Sequence, residues 1–453
     1  MMTELRLTDA ALAFGGTLLN PDCVFTQVSI DSRQISEGQL FVALEGERFD
    51  AHEFLEEVTT LACGLVVSKP NKNLPIPQWV VDDTTEALGQ LAHMNRELLN
   101  GPLIAITGSS GKTSVKEMIA SILSQESKVH ATQGNLNNHI GVPLTLLSMQ
   151  ADTDFAVIEM GASAIGEIAY LCDIARPDVT LVNNIQHAHI EGFGSIEGVA
   201  TAKSEIYRGL KPSGTAVINL DLAWSDAWLT ELADKQCLTF STEHKNADVV
   251  AENISVLDTG CCQFDLCNGK TRKSVTLPVP GTHSVKNAIA AAACCIASGV
   301  PLDQIVMGLT AVKPVAGRLN LRQLTDNIAL FDDTYNANPD SFKAAIDVLA
   351  NAEGYRLLVM GDMAELGDKA MEMHSEIGRY AAEKGIEALY SVGVLSAVAS
   401  DAFGGNHFSD KQTLMAALDD VCANKLKVTL LVKGSRSSGM EEVVTMLSNK
   451  EIS

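Results

Sequence analysis

Short apolar runs alternate with longer amphipathic stretches over most of the chain after residue 100. The apolar runs are four to six residues long, which is the length of a buried strand. They lie at 103–107, 155–160, 179–182, 216–219, 328–331, 357–360 and 428–432. Because strands that alternate with helices form parallel sheets covered by helices, the predicted fold class is α/β.

Two interruptions divide this pattern. Asn100-Gly101-Pro102 ends a predicted helix at 84–99, and Lys313-Pro314 precedes Gly317-Arg318. The expected domains are therefore 1–100, 101–315 and 316–453. Segment 246–280 is richer in short strand-like pieces and is expected to form an antiparallel insertion.

Composition mainly excludes classes of protein. The 453 residues suit about three domains. With 46% apolar and 20% charged residues, the chain has the composition of a globular protein. A formal charge of −23 argues against a protein that coats nucleic acid or anionic membrane. An anionic small substrate remains compatible with it, since a local lysine or metal ion reverses the field.

The cysteines and the N-terminus indicate a compartment. Ten cysteines form no CxxC pair, which favours reduced thiols in the cytoplasm. The first residues lack a basic region followed by an apolar run, and no apolar stretch approaches the ~18 residues of a membrane span. We expect a cytoplasmic protein without membrane insertion and without a nucleic-acid partner.

A glycine loop follows the predicted strand 103–107. Its residues are Gly108-Ser109-Ser110-Gly111-Lys112-Thr113, and 114–124 reads as a helix. A strand, a glycine loop and a helix in this order bind phosphate through backbone N–H groups and the helix N-terminus. Lys112 would reach the terminal phosphates, and the Thr113 hydroxyl would hold Mg²⁺. The spacing departs from GxxxxGK[ST], because position 106 is Ile106.

Four further residues could serve a metal, although the sequence alone does not select them. Glu159 ends a strand of the same domain, where carboxylates bind Mg²⁺ but are also often merely solvated. His187 and His189 follow strand 179–182, and one of them could be a ligand. Lys203 lies in a predicted helix at 200–210, where a lysine is usually exposed to solvent.

Polar clusters continue downstream. Thr282 is a plausible N-cap of a long Ala-rich helix, and His283 and Asn287 share one face of it, suited to a purine edge or to a merely polar first turn. Arg318 could reach a phosphate from a neighbouring domain. Polar loops follow three C-terminal strands at 332–339, 361–367 and 433–436, and together they predict a face for a second substrate.

These segments together resemble the Mur ligases of bacterial cell-wall synthesis, over nearly the whole chain. The similar segments include ITGSSGKTSVKE (106–117), GNLNNHIGVP (134–143), AHIEGFGS (188–195), AKSEI (202–206), GTHSVKNA (281–288), DDTYNANPDS (332–341), GDMAELG (361–367) and KGSRS (433–437). The resemblance implies a UDP-substrate domain, a central ATP-binding domain with a parallel phosphate-loop sheet, and a C-terminal Rossmann-like domain that binds ATP and an incoming dipeptide. YNANP, GDMAELG and the LNN segment resemble the branch that joins D-alanyl-D-alanine to UDP-N-acetylmuramoyl-tripeptide through an acyl phosphate, and a monomer is expected.

The resemblance also implies roles for individual residues. It makes Lys112, Glu159, His189 and Lys203 catalytic, with Thr113, Glu159, His189 and a carbamylated Lys203 serving two Mg²⁺ ions. The implied ATP contacts are Gly108, Ser109, Ser110, Gly111, Lys112, Thr113, Ser114, His283, Asn287, Arg318 and Asp333. The implied substrate contacts are Ser32 and Arg33 near the UDP group, together with Asn137, Asn138, Tyr335, Asn336 and Asn338.

Two other functions stay open at this point. A sister ligase would add one amino acid, or glutamate to folate. A nucleotide-dependent switch or scaffold would use the phosphate loop without a second-metal set or a dipeptide pocket.

Overall fold

Three main sheets organise the protein in a computed structural model that describes residues 2–188, 190–257 and 259–449. They contain five, nine and six strands, and two short two-stranded ladders accompany the first. Within the described ranges no helix combines the length and apolar character that a membrane crossing requires. The mixture of parallel sheets and helices confirms the predicted α/β class.

The N-terminal sheet has the strand order β2-β9-β8-β5-β4, and it is parallel except for the pair β2–β9. Its region comprises β1 (Leu5–Arg6), α1 (Leu7–Phe14), β2 (Thr17–Leu19), β3 (Val24–Phe25), β4 (Val28–Ser29), β5 (Leu40–Val42), β6 (Glu45–Gly46), β7 (Phe49–Asp50), α2 (Leu55–Val58), β8 (Gly64–Val67), β9 (Gln78–Val80) and α3 (Thr84–Glu97).

The central sheet has the order β11-β12-β10-β13-β14-β15-β16-β17-β18. Its strands are β10 (Leu103–Thr107), β11 (Val129–Ala131), β12 (Phe155–Glu159), β13 (Val179–Val182), β14 (Thr215–Asn219), β15 (Gln236–Ser241), β16 (Val249–Val256), β17 (Cys261–Asn268) and β18 (Thr271–Pro280). Its helices are α4 (Lys112–Leu123), α5 (Gly141–Leu147), α6 (Glu167–Ala175), α7 (Ile190–Phe193), α8 (Ile196–Arg208), α9 (Ser225–Glu231), α10 (Thr282–Ala297) and α11 (Leu302–Thr310). The pairs β16–β17 and β17–β18 are antiparallel, which confirms the antiparallel insertion predicted at 246–280.

The C-terminal sheet has the order β19-β20-β24-β21-β22-β23 and is parallel except for the pair β19–β20. Its elements are β19 (Asn320–Thr325), β20 (Ile328–Asp333), α12 (Pro339–Ala350), β21 (Tyr355–Met360), α13 (Ala370–Glu383), β22 (Ala388–Val392), α14 (Ser396–Phe403), β23 (Asn406–Phe408), α15 (Lys411–Asn424), β24 (Val428–Lys433) and α16 (Glu441–Asn449).

The starts of three helices, α4, α8 and α10, differ from the sequence-based predictions. Thr282 is not an N-cap: Gly281 takes that position with φ +88°, and Thr282 is the first helical residue. The helix predicted at 200–210 begins earlier, at Ile196, because the Ser195 side chain accepts a hydrogen bond from the N–H of Gly198. A serine N-cap is a local signal, and the apolar pattern, which predicted the start at residue 200, does not contain it.

Helix α3 joins the N-terminal region to the central one. The buried Arg96 donates to the carbonyl of Ala175 at 2.7 Å and to the Asp178 carboxylate at 2.8 Å. Asn95 also donates to the carbonyl of Leu146, at 2.7 Å. The boundary predicted at residue 100 therefore follows a helix that packs against the central region, and the three domain limits stay predictions.

Candidate active site

A cavity of about 660 Å³ lies where the strands of the central sheet end and the C-terminal region faces them. Residues that follow β10, β12 and β13 line one side, and residues that follow β20 line the other. Ligands of parallel α/β sheets bind at this edge, beyond the carboxyl ends of the strands. The cavity therefore joins the predicted phosphate loop and the predicted second-substrate loop in one site.

The phosphate loop lies between β10 and α4, as predicted, although α4 begins two residues earlier, at Lys112. Gly111 precedes the helix with φ +72°, a conformation that side chains rarely adopt. A Cβ atom there would lie 2.6 Å from Asn287 Oδ1 and 2.8 Å from Asn183 Nδ2. Glycine is thus required at this position both by the turn and by the neighbouring amides.

The segment after β13 holds the loop in place. Asn184 accepts from the Ser110 N–H at 2.9 Å through Oδ1 and donates to the Ser110 carbonyl at 3.0 Å through Nδ2. Its own carbonyl accepts from the Ser109 N–H at 3.1 Å, and Gln186 accepts from the Ser110 hydroxyl at 2.6 Å. The N–H groups of Ser109 and Ser110 therefore already have protein acceptors.

Sequence reasoning missed the supporting role of Asn183, Asn184 and Gln186. It considered this segment only for its histidines. The available signal was topological: strand β13 pairs with β10, so residues that follow the two strands meet at the same sheet edge.

Lys112 and Thr113 lie against the strand-end carboxylate. Glu159 accepts from the Thr113 hydroxyl at 2.9 Å and from Asn137 Nδ2 at 2.7 Å, and it is 2% exposed. Lys112 donates to the Gly108 carbonyl at 2.7 Å. Burial lowers the pKa of the Lys112 amine, and the charge of Glu159 partly opposes this. A buried carboxylate that contacts a hydroxyl provides the oxygen ligands that Mg²⁺ prefers.

Lys203 is a buried amine that is paired with no carboxylate among the described residues. It is 1% exposed, and in the described part of the chain no acidic side chain lies within ion-pairing distance of it. Its amine lies 5.8 Å from the centre of the Phe193 ring. Burial, with a smaller contribution from Lys112, lowers the pKa of Lys203 well below its usual value. His189 lies outside the described residues, and His187 contacts Asp340 through its backbone N–H at 3.3 Å.

Arg318 connects the two sides of the cavity. Its Nη2 donates to the Thr113 hydroxyl at 3.1 Å, and its guanidinium lies 3.9 Å from the centre of the Tyr335 ring. Its buried Nε has no acceptor among the described residues. An unpaired guanidinium donor beside a phosphate loop fits an anionic oxygen of a ligand.

His283 and Asn287 begin helix α10 and both line the cavity. Burial lowers the pKa of His283, which favours the neutral ring. Asn287 Oδ1 accepts from Asn183 Nδ2 at 3.0 Å. Asn287 thus uses its Oδ1 to hold Asn183, which lies beside the phosphate loop. Its side-chain N–H₂ group stays available to donate to adenine in the predicted contact.

The polar groups at the end of β20 and in the loop after it mostly form hydrogen bonds within the C-terminal region. Asp333 accepts from the Leu319 N–H at 3.0 Å and from Lys433 Nζ at 2.6 Å. Asn338 caps α12 by accepting from the Ser341 N–H at 2.8 Å, and Asn336 Oδ1 accepts from the Ala337 N–H at 2.8 Å. These side chains and Tyr335 line the cavity, so their predicted contacts with nucleotide and dipeptide remain compatible with the geometry.

The remaining predicted positions lie partly in the cavity and partly outside it. Asn138 lines the cavity and accepts from the N–H of Gly141, the first residue of α5, at 2.8 Å. Arg33 forms a two-point ion pair with Asp31 on the N-terminal region, and neither Arg33 nor Ser32 lines this cavity. In the 361–367 loop, Asp362 accepts from the N–H groups of 394–396, so that loop mainly serves the fold.

Comparisons with known proteins agree with this geometry. The model of the Mur ligase middle domain matches residues 106–295, and that of the Mur ligase glutamate ligase domain matches residues 317–436.

Named relatives cover nearly the whole chain. UDP-N-acetylmuramoyl-tripeptide–D-alanyl-D-alanine ligase of Escherichia coli (strain K12) is 45% identical over 98% of this chain and 99% of its own length. The ligase of the same name from Bacillus subtilis (strain 168) is 36% identical over all of both chains.

Solved structures show the same architecture. MurF from Acinetobacter baumannii superposes with a TM-score of 0.93 at 36% identity, covering 99% of this chain and all of that one. MurF ligase from Thermotoga maritima in complex with ADP gives a TM-score of 0.83 at 29% identity over 93% of this chain and 97% of its own. With two family models on adjoining segments and relatives that match end to end, this chain belongs to the Mur ligase family.

Proposed function

We propose that the protein is an ATP-dependent ligase that joins D-alanyl-D-alanine to UDP-N-acetylmuramoyl-tripeptide and releases ADP and phosphate. The observation that carries the proposal is the shared cavity, in which the phosphate loop faces the YNANP loop and Arg318 bridges them. The names of the full-length relatives support both substrates, and the ADP-bound relative supports the nucleotide.

The chemistry follows from the groups around this cavity. The terminal carboxylate of the tripeptide attacks the γ-phosphate of ATP, which gives an acyl phosphate and ADP. The free amine of the dipeptide then attacks the acyl carbon, phosphate leaves, and an amide bond remains. Lys112 and Arg318 stabilise negative charge on the transferred phosphoryl group.

The residues present fit a magnesium site. We propose that Thr113, Glu159, His189 and Lys203 hold two Mg²⁺ ions, with Lys203 carbamylated. Bound Mg²⁺ supplies positive charge to the phosphate oxygens. Carbamylation suits Lys203 because a neutral amine is the form that reacts with CO₂, and burial favours that form. The product is an anion, and among the described residues no acidic side chain lies close enough to Lys203 to repel it.

The cell compartment and the oligomeric state are further proposals. Ten free thiols suit a reducing compartment, and ATP and a UDP-linked precursor are substrates of the cytoplasm. We propose a cytoplasmic monomer, which gel filtration with light scattering would test.

The deciding experiment measures phosphate release with ATP, Mg²⁺ and UDP-N-acetylmuramoyl-tripeptide. D-alanyl-D-alanine is compared with single amino acids, and the product mass is measured. We expect turnover only with the dipeptide and a product heavier by one dipeptide less water. Turnover with a single amino acid would indicate a sister ligase, and nucleotide binding without an amide product would indicate a switch or scaffold.

A further inference from the structure

Lys433 is a buried lysine at the edge of the cavity to which the proposed chemistry gives no role. It is the last residue of β24 and is 1% exposed. Its Nζ donates to Asp333 Oδ2 at 2.6 Å and to the carbonyl of Asn336 at 2.9 Å, and it lies 5.4 Å from the centre of the Phe342 ring. It therefore contacts the loop after β20 at two points.

The first contact offsets the cost of burying the charge. An ammonium group without water is unfavourable unless an acidic group and further acceptors surround it. Asp333 supplies that charge, and it is already fixed beside Lys433 because the two residues are register partners in the parallel pair β20–β24. Strand pairing therefore accounts for the ion pair, but the bond to Asn336 reaches beyond the sheet.

The second contact holds the middle of the loop at 334–338. The loop starts with the Tyr335 N–H bound to the Gly317 carbonyl at 3.1 Å and ends with the Asn338 cap of α12. Between these points the Asn336 side chain bonds only within its own turn, to Ala337. Among the residues that the structure describes, the hydrogen bond from Lys433 to the Asn336 carbonyl thus connects the centre of the loop to the sheet.

We infer that Lys433 is a positioning residue, which fixes the 334–338 loop in the shape that receives the incoming dipeptide. The inference rests on the proposed function for the identity of the dipeptide. Lys433 borders the cavity but is 1% exposed, and its Nζ bonds to Asp333 and Asn336, so we assign its effect to the loop. The loop's backbone and the Tyr335 ring then present a fixed surface to the acceptor, at no ordering cost during binding.

The test compares Lys433→Met with Lys343→Met in the full chain. Lys343 lies on α12 of the same region, pairs with Glu376 at 2.6 Å and is more exposed, so its loss removes a lysine without touching the loop. Lys433→Met should lower kcat/KM for the dipeptide by about tenfold or more, because misplaced acceptor groups react slowly. The KM for UDP-N-acetylmuramoyl-tripeptide should change by less than about threefold. Equal losses for the dipeptide and the tripeptide would overturn the inference.

A second measurement needs no substrate. Deuterium uptake of the peptide that covers 334–338 should rise in Lys433→Met and stay unchanged in Lys343→Met. Unchanged uptake in Lys433→Met would refute the positioning role, whether or not the wild type ligates the dipeptide. Failure of the wild type to ligate, with faster uptake in the variant, would instead refute the proposed function alone.

One further pair of variants covers the case in which Lys433→Met does not fold. The double variant Asp333→Asn/Lys433→Met removes both buried charges, which proteins tolerate better than one unpaired charge. Compared with Asp333→Asn alone, the double variant should show the added loss for the dipeptide and the faster exchange of the loop. Identical behaviour of the two would contradict the inference.

Discussion

Removing the Asn184 side chain should weaken nucleotide binding although Asn184 forms no part of the phosphate loop. Asn184→Ala breaks two hydrogen bonds to the backbone of Ser110, of 2.9 and 3.0 Å. Each contributes about 1 kcal/mol net, so the bound shape of the loop loses about 2 kcal/mol of support. Since 1.4 kcal/mol corresponds to a tenfold change in affinity, the Kd for ADP should rise by about 30-fold if binding must restore that shape.

Isothermal titration calorimetry with ADP and a nonhydrolysable ATP analogue measures the effect. Asn351→Ala is the matched control, because Asn351 is an exposed residue that donates to a helix carbonyl at the far end of α12. A thermal melt of each variant separates loss of the loop from loss of the fold. A Kd for ADP within about twofold of the wild type would refute the reasoning, since it would show that the loop keeps its shape without Asn184.

Three further changes test other parts of the structure. Lys203→Ala should reduce ligation about a hundredfold or more, with partial recovery by added short carboxylates, and full activity in the phosphate-release assay would exclude the carbamate role. Arg96→Met should lower the free energy of unfolding in urea by about 3 kcal/mol, whereas Arg208→Met, which breaks an exposed ion pair with Glu231, should cost about 1 kcal/mol or less. Burial lowers the pKa of His374, so the unfolded chain takes up that proton first as the pH falls below about 6.5 and stability decreases. In His374→Gln the drop in urea midpoint between pH 7.5 and 5.5 should therefore be smaller than in the wild type, and an equal drop would contradict this.

The sequence predicted the fold class and most strands because buried parallel strands are continuous apolar runs. Strands 103–107 and 179–182 match the structure at both ends. The strand predicted at 328–331 is two residues longer in the structure and ends at Asp333. Helix starts were less predictable, since they depend on caps such as Ser195 and Gly281. The apolar pattern carries no information on these.

The candidate site was only partly predictable, for a related reason. Residue type and spacing indicated Lys112 and Thr113. For Glu159 and Lys203, the residue pattern was at least equally compatible with solvent exposure, and the resemblance to the Mur ligases favoured a role in the site. The bonds of Asp333 to Lys433 and of Asn184 to Ser110 depend on which strands are neighbours in the sheet, and the order of strands along the chain does not show this. Some polar side chains that were predicted to contact substrate therefore form hydrogen bonds that hold the loops of the cavity in place.

The two kinds of strand pairing in the central sheet also bear on how the chain folds as it is synthesised. Strands β16, β17 and β18 pair with their neighbours in the chain across short turns. Strand β10, which leads into the phosphate loop, pairs with β12 and β13, so its partners are made about 50 and 75 residues later. Until then this strand, which is apolar except for Thr107, has two unpaired edges that are open to mispairing with other chains. Within the central sheet, the strand at the centre of the nucleotide site is thus the one whose pairing is completed latest after its own synthesis.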